Sequence, residues 1–350
     1  GYEMNRPCGA FNRSYAQDMA VIRTQLQWGI LIASIILLLT LPLFTSAVIL
    51  SYVNFIAITV IAVLGLQILV GYCGQISLGH AAFVGVGAYT SALLVVYLGF
   101  PFWVALPCAG ISAGLIGLIF GLPSLRIKGF YLAMSTLAAQ MIIPWLIVNV
   151  RSDITKGTSS LMVPPPELGG INFSSQEGMF YIIIPVMLLA ILFAKNLVRT
   201  RLGRAFIAIR DNDLAAEVMG VDIFRYKLIA FFICSFFAGI AGSLYAHWTQ
   251  AICVDTFNLL ESIWYLGMII IGGMGSISGT IMGVIFIRAL DIGAKMLTPL
   301  VGGAFPTAMT AVAPIIFGIV IIVFLIFEPR GLAHRWTTLK ASYRLWPFSY

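Results

Sequence analysis

The sequence predicts an all-α polytopic membrane protein with about ten transmembrane helices, both termini cytoplasmic and a possible internal repeat. Three observations predict it. Sixty percent of the 350 residues are hydrophobic and only 9% are charged, against roughly 25% charged in a soluble domain. Apolar runs approaching the roughly 20 residues that a bilayer-spanning helix needs recur along the chain. The runs 30–39 and 315–327 are apolar on every face, unlike the alternating strands of a barrel. Helices are then the structure that satisfies every backbone group in lipid.

The candidate spans lie near 29–44, 47–69, 76–98, 102–122, 130–149, 178–194, 227–248, 258–274, 277–297 and 307–327. Lys and Arg orient them. The loop 195–227 holds Lys195, Arg199, Arg201, Arg204, Arg210, Arg225 and Lys227. The tail adds Arg330, Arg335, Lys340 and Arg344, the loop before the fifth span Arg126 and Lys128, and the N-terminal arm Arg6, Arg13 and Arg23. An even number of spans puts all four segments on one side, the cytoplasm. The expected division is a cytoplasmic arm 1–27, a membrane domain 28–328 containing the loop 195–227, and a tail 329–350. Residues 1–27 have scattered charges and no short apolar core before a cleavage site, so they read as an arm and not as a signal peptide. The largest loop on the opposite side, about 150–177, contains Pro164-Pro165-Pro166 and Gly169-Gly170 and is turn-rich. It is either a docking surface or lid, or a plain connection.

The net charge of +7 arises from short loops rather than one basic face, so nucleic acid is not an expected partner. The five cysteines, Cys8, Cys73, Cys108, Cys234 and Cys253, form no CxxC pair and imply neither a disulfide framework nor a zinc site. The three histidines are far apart in sequence, and no lysine follows a glycine as a phosphate loop requires. No enzyme constellation emerges. Any ATP must be bound by another chain.

Gly71-Tyr72-Cys73-Gly74-Gln75-Ile76-Ser77 and Gly272-Gly273-Met274-Gly275-Ser276-Ile277-Ser278 both read GxxGxIS between long apolar runs. Paired glycine-interrupted segments in corresponding halves of a transporter mark a substrate route. On that reading Gly74, Gln75, Ser77, Gly272, Gly275 and Ser276 line it, with His80 just beyond. The alternative is a pair of tight turns with close helix packing and a packing histidine bonded to a carbonyl. Gly85-Val86-Gly87 reads as a packing face.

In the cytoplasmic loop, Asp211, Asn212 and Asp213 are N-cap residues and Gly220 suits a helix end. A two-turn helix follows, small at Ala215 and Ala216. It either enters a groove on a soluble partner or lies on the membrane surface.

Ala215-Ala216-x-x-x-Gly220 resembles the EAA loop of ABC importer permeases, with Leu214 where Glu is frequent. From about residue 50 to 332 the chain resembles the LivM-type permease of branched-chain amino-acid ABC importers. The resemblance is carried in order by 71–83, Leu125-Arg126-Ile127-Lys128-Gly129-Phe130-Tyr131-Leu132-Ala133, Leu202-Gly203-Arg204-Ala205 with Ala208-Ile209-Arg210, Tyr226-Lys227-Leu228, Ile271-Gly272-Gly273-Met274-Gly275-Ser276 and Pro329-Arg330-Gly331-Leu332. It departs at Thr155-Lys156-Gly157-Thr158-Ser159-Ser160, where the family reads TGGxxG, and at Cys253-Val254-Asp255-Thr256-Phe257, where it reads SPDxF. Both departures fall on the predicted outer face.

The resemblance implies a non-enzymatic subunit in the bacterial inner membrane. Its partners would be a second permease subunit, two ATP-binding subunits and an extracytoplasmic solute-binding protein. This chain would bind no cofactor, and ATP-Mg would sit on the partners. Arg204, Arg210, Asp213, Ala215, Ala216 and Gly220 would couple it to the ATPase. Leu, Ile and Val are the implied solutes, and urea, short amides or aromatic acids are alternatives within the superfamily. A gradient-driven carrier or channel is the rival from another class.

Charged groups within spans mark function by default. Arg288, Asp291 and Lys295 stand at i, i+3 and i+7 on one face of the ninth predicted span, where Asp291 can pair with either neighbour and Arg288–Asp291 is the candidate ion pair. The pair either reads the head of a zwitterionic amino acid or is structural.

Overall fold

The computed structural model describes residues 25–125, 131–150, 152–168, 171–301, 309–328 and 330–345. The N-terminal arm to residue 24, the loop holding Arg126 and Lys128, and Pro329 lie outside the described residues. The chain divides after Leu50 into two compact units. The first holds α1 (Gln25–Phe44). There Thr40 and Thr45 return their hydroxyls to the Leu37 and Leu41 carbonyls, at 3.1 and 2.7 Å. Those bonds occupy carbonyls around Pro42, which has no N–H to donate.

The helix α2 (Ala47–Gln67) runs from the end of the first unit into the second and finishes in a π-helical turn, Ile68–Tyr72. It is followed by α3 (His80–Leu98), α4 (Phe102–Leu125), α5 (Tyr131–Asn149) and the one-turn α6 (Ser152–Thr155). Beyond the next loop come α7 (Gln176–Arg199), α8 (Arg201–Asp211), α9 (Asp213–Val218) and α10 (Ile223–Thr249). The last helices are α11 (Leu259–Gly272), α12 (Ile277–Val301), α13 (Met309–Phe327) and α14 (Gly331–Leu345). An α-helical, polytopic architecture is therefore observed.

Among the described residues, six helices are long and apolar enough to cross a membrane: 47–72, 80–98, 102–122, 132–149, 176–199 and 223–249. They match the second to seventh predicted spans within a few residues. The stretches predicted as the first, ninth and tenth spans form α1, α12 and α13. The eighth differs. With 14 residues, α11 is about 21 Å long, short of the roughly 30 Å hydrocarbon core. A 3₁₀ turn, Val254–Phe257, precedes it and a glycine turn ends it.

Among the described residues, two small ladders interrupt the helices. Strand β1 (Leu161–Met162) pairs antiparallel with β4 (Ala251–Ile252), Leu161 opposite Ile252. Strand β2 (Glu167–Leu168) pairs with β3 (Ile171–Asn172). The first ladder ties the long loop to the end of α10, so part of that loop is ordered by pairing and not only by turns.

The core of the second unit is α10 packed against α3 and α4. Small residues set the spacing, as membrane helix packing requires. A β-carbon at Gly87 would lie 2.3 Å from the Gly239 carbonyl oxygen, and one at Gly239 would lie 2.4 Å from that of Ala109. Gly85-Val86-Gly87 is thus part of a packing face.

Candidate functional site

Helix α8 is amphipathic, burying Gly203, Ala205, Phe206 and Ile209 and exposing Arg201, Arg204 and Arg210. Thr200 caps it through the Gly203 amide, and Phe206 meets the edge of Tyr226 on α10. Arg204 returns its guanidinium to the Arg199 carbonyl at 3.3 Å. Asn212, of the three acidic or amide candidates, caps α9 by accepting from the Ala215 amide at 3.0 Å. Asp213 is the first helical residue.

The end of α9 is closed by two bonds. The Val221 amide donates to the Ala216 carbonyl at 3.0 Å and the Gly220 amide to that of Glu217 at 2.9 Å. This is the Schellman arrangement, and Gly220 takes the left-handed conformation it needs (φ 86°). Ala215 is exposed and Ala216 buried, so the two alanines do not share the free face. That face carries Leu214, Val218 and Met219, which are 59%, 86% and 83% exposed. Sequence reasoning passed over Val218 and Met219 and noted Leu214 only as a departure from the EAA loop. Their signal was the apolar i, i+4 repeat of 214/218 and 215/219 inside a polar loop.

The two glycine-rich segments lie against each other. A β-carbon at Gly71 would stand 2.7 Å from the Gly275 amide nitrogen. Gln67, fully buried on α2, donates through Nε2 to the Gly273 and Ser276 carbonyls at 3.2 and 3.4 Å. The corresponding glycines Gly74 and Gly275 both have positive φ, 70° and 79°, a conformation open to glycine and strained for other residues. Gly272 packs on Gly279, while Ser276 caps α12 by accepting from the Gly279 amide at 3.1 Å. Arg210 then joins this pair of turns to α8. Its Nη1 donates to the Gly71 carbonyl at 2.9 Å, and β-carbons at Gly74 or Gly275 would approach its side chain to 3.0 Å. Residues expected to serve a route and residues expected to serve coupling thus form one joint.

The first glycine break continues into a buried region where protein groups occupy the freed amides. Thr136 accepts from the Leu78 amide, Ser262 from that of Ala81, and Gln140 from that of Ala82, at 3.0, 2.9 and 3.0 Å. Gln140 also accepts from the Ser262 hydroxyl and donates to the Phe257 carbonyl. Gln75 is half-buried, its Nε2 turned to the Cys73 carbonyl. The buried Ser77 hydroxyl has no partner among the described residues. His80 is fully buried. Its Nε2–H donates to the Ala62 carbonyl at 2.8 Å, and its Nδ1 accepts from the Cys234 thiol at 3.5 Å. Both ring nitrogens are therefore engaged within the protein.

Further along the helices, the Arg288 guanidinium forms an ion pair with Glu261 on α11. The sequence reading placed Asp291 in that role. Asp291 is buried one turn along α12 and acts on Arg288 through space. The carboxylate bonded to the guanidinium comes from the neighbouring antiparallel helix, which an i, i+3 argument along one helix cannot reach. The guanidinium lies 4.3 Å above the Phe55 ring, itself stacked on Trp248 at 5.8 Å. The side chain of Lys295 lies outside the described residues.

At the end opposite Arg210, Ser243 donates to Ser91, Ser91 to His247 Nε2, and His247 Nδ1–H to the Pro164 carbonyl, at 2.8, 3.0 and 3.0 Å. This chain anchors the triple-proline segment to α3 and α10. Among the described residues no cluster of His, Cys, Asp or Glu could hold a metal.

Residues 48–325 match the family model described as branched-chain amino acid transport system / permease component. The chain belongs to this family. The high-affinity branched-chain amino acid transport system permease protein LivM of Escherichia coli (strain K12) is 33% identical over 281 residues, covering 73% of this chain and 66% of that protein. The protein of the same description from Salmonella typhimurium is 35% identical over 243 residues, 63% of this chain and 57% of its own length. The chain thus spans less than two thirds of either relative. The probable branched-chain amino acid transport permease protein LivH of Methanocaldococcus jannaschii is 26% identical over 267 residues, 73% of this chain and 82% of its own length. No solved structure matches the chain. As a permease-family member with several membrane-crossing helices, it is a multi-pass protein of the inner membrane.

Proposed function

We propose that this permease is the membrane subunit of an ATP-driven importer for branched-chain amino acids. It works with a second permease subunit, two ATP-binding subunits that hold ATP-Mg, and an extracytoplasmic solute-binding protein. In this reading about ten spans, the short α11 and the 3₁₀ turn before it counted together as one, place both termini in the cytoplasm, with 1–27 and 329–350 as arm and tail and 195–227 as the coupling loop. The free apolar face of α9 docks into an ATP-binding subunit. The observation that carries the reading is the Arg210–Gly71 bond. Through it, a displacement of α8 and α9 on ATP binding reaches both glycine turns, where α2, α11 and α12 meet. The ATP-binding subunits bias the route by their different affinity for its two states.

The test is uptake of labelled leucine by proteoliposomes holding the complete complex and its binding protein. Uptake that needs internal ATP is expected. Leucine uptake by this chain alone, driven by an ion gradient, would overturn the reading in favour of a secondary carrier.

A further inference from the structure

The Arg288–Glu261 pair plays no part in the coupling joint, and its setting points to a second role. Glu261 stands eleven residues before Gly272 on α11, and Arg288 eleven residues after Ile277 on α12. The two helices run antiparallel from one turn, so both groups sit about 16 Å from it, near half the depth of a hydrocarbon core. Arg288 is 4% exposed. Its Nε–H is buried and has no acceptor among the described residues, although a buried charged donor without a partner is costly. The Glu261 side chain is 24% exposed and can be reached from outside the cluster.

We propose that Arg288 and Glu261 form a binding site for the zwitterionic head of an amino acid. Entering past Glu261, the ligand opens the direct pair. Its α-carboxylate bridges the guanidinium edge that includes Nε, and its α-ammonium pairs with the Glu261 carboxylate. Phe55, held by Trp248, fixes the plane of the guanidinium for this two-point contact. Asp291 keeps a counter-charge near Arg288 while Glu261 is engaged with the ligand. The physical basis for selection is charge balance. A zwitterion brings one charge of each sign, so each member of the opened pair finds a partner. A ligand with a single charge leaves one of them unpaired in a low-dielectric interior.

The proposal rests on the amino-acid import reading. It is tested on the complete membrane complex, purified without the binding protein, by direct binding of radiolabelled leucine. Competition by leucinamide, which lacks the carboxylate, and by 4-methylpentanoate, which lacks the ammonium, reports the two contacts separately. The unsubstituted complex is expected to prefer leucine to both analogues by at least about a hundredfold. E261Q is expected to lose the preference over 4-methylpentanoate while keeping that over leucinamide. R288K, which keeps the charge without the planar fork, is expected to bind leucine at least about tenfold more weakly. A merely misfolded variant loses all binding and cannot produce the selective change in E261Q.

Unchanged leucine affinity and unchanged discrimination in both variants would overturn the site. So would a complex that imports leucine with ATP yet binds none without its receptor. If the complete complex imports no leucine at all, the import reading is the one that fails.

Discussion

The Arg210 guanidinium donates to the Gly71 carbonyl oxygen at 2.9 Å across 139 residues of chain. Arg210 ends the amphipathic helix α8, and Gly71 lies in the π-helical turn that closes α2. The carbonyls of a helix's last turn have no intrahelical partner, which leaves the Gly71 oxygen to an external donor. The same guanidinium pairs with Asp211 at 2.9 Å, so it bridges the α8–α9 junction to the glycine turns.

Replacing Arg210 by Ala removes that bridge without emptying a core site, because the side chain is 35% exposed. The loss is one charge-assisted bond, about 1.5–3 kcal/mol at most and less after solvent screening. The complex should therefore assemble and hydrolyse ATP while importing at least about tenfold less solute per ATP, a factor equivalent to about 1.4 kcal/mol. R210K should recover part of the transport, since a single ammonium can reach the carbonyl but cannot also form the guanidinium fork. The ratio of uptake to hydrolysis in proteoliposomes checks this.

Gly275 tests the joint from its other side. At φ 79° an alanine is strained by about 1–2 kcal/mol, and its β-carbon would press on Arg210 Nη1. G275A should lower both thermal stability and coupling. G318A is the control: Gly318 lies inside α13 with open space around it, and a helical Gly-to-Ala change gains roughly 0.5–1 kcal/mol. Thermal unfolding in detergent should move the two variants in opposite directions.

The residues that set the helices are legible in the sequence because hydropathy is a local property, and nine of the ten predicted spans coincide with long helices. The remaining stretch, the eighth at 258–274, forms a shorter helix than its hydropathy suggests, because hydropathy counts apolar residues and not helix length, and Asn258 caps α11 only after the 3₁₀ turn. The two GxxGxIS segments were visible as a repeat, but their contact with each other and with Arg210 was not. That contact depends on tertiary packing across 139 residues or more. The same limit hid Glu261, whose signal was a lone acid in an apolar run close to the level of Arg288. The burial of Ala216 beside the exposed Ala215 was not legible because a six-residue helix offers too little periodicity to decide which face is buried.

The free face of α9 should be replaceable without harm to the fold. Val218 and Met219 are more than four-fifths exposed, so V218D and M219D should change the stability of the isolated subunit by no more than about 0.5 kcal/mol. Both should abolish co-purification of the ATP-binding subunits, because an unpaired carboxylate in the centre of an apolar contact is strongly disfavoured. A216W is the contrast. Its site is 4% exposed, and overpacking there should unfold the loop itself. An ATPase pull-down, paired with a melting curve for each variant, separates lost docking from lost fold.

Gln140 carries the last prediction, which concerns the buried start of α3. Its Oε1 accepts from the Ala82 amide and the Ser262 hydroxyl, and its Nε2 donates to the Phe257 carbonyl at 2.7 Å. A helix that begins inside the protein, away from water, needs such partners for its first amides. Q140L is close in volume but leaves the Ala82 amide and the Phe257 carbonyl unpaired, each costing about 1–3 kcal/mol when buried. The combined loss should be roughly 3 kcal/mol, a large share of the stability of an ordinary domain. Q75L is the matched control, since Gln75 is half-buried and its side chain bonds the nearby Cys73 carbonyl. If Q140L melts no lower than Q75L, then water reaches the start of α3 and supplies the missing bonds. In that case the first glycine break borders a wet route rather than a sealed joint.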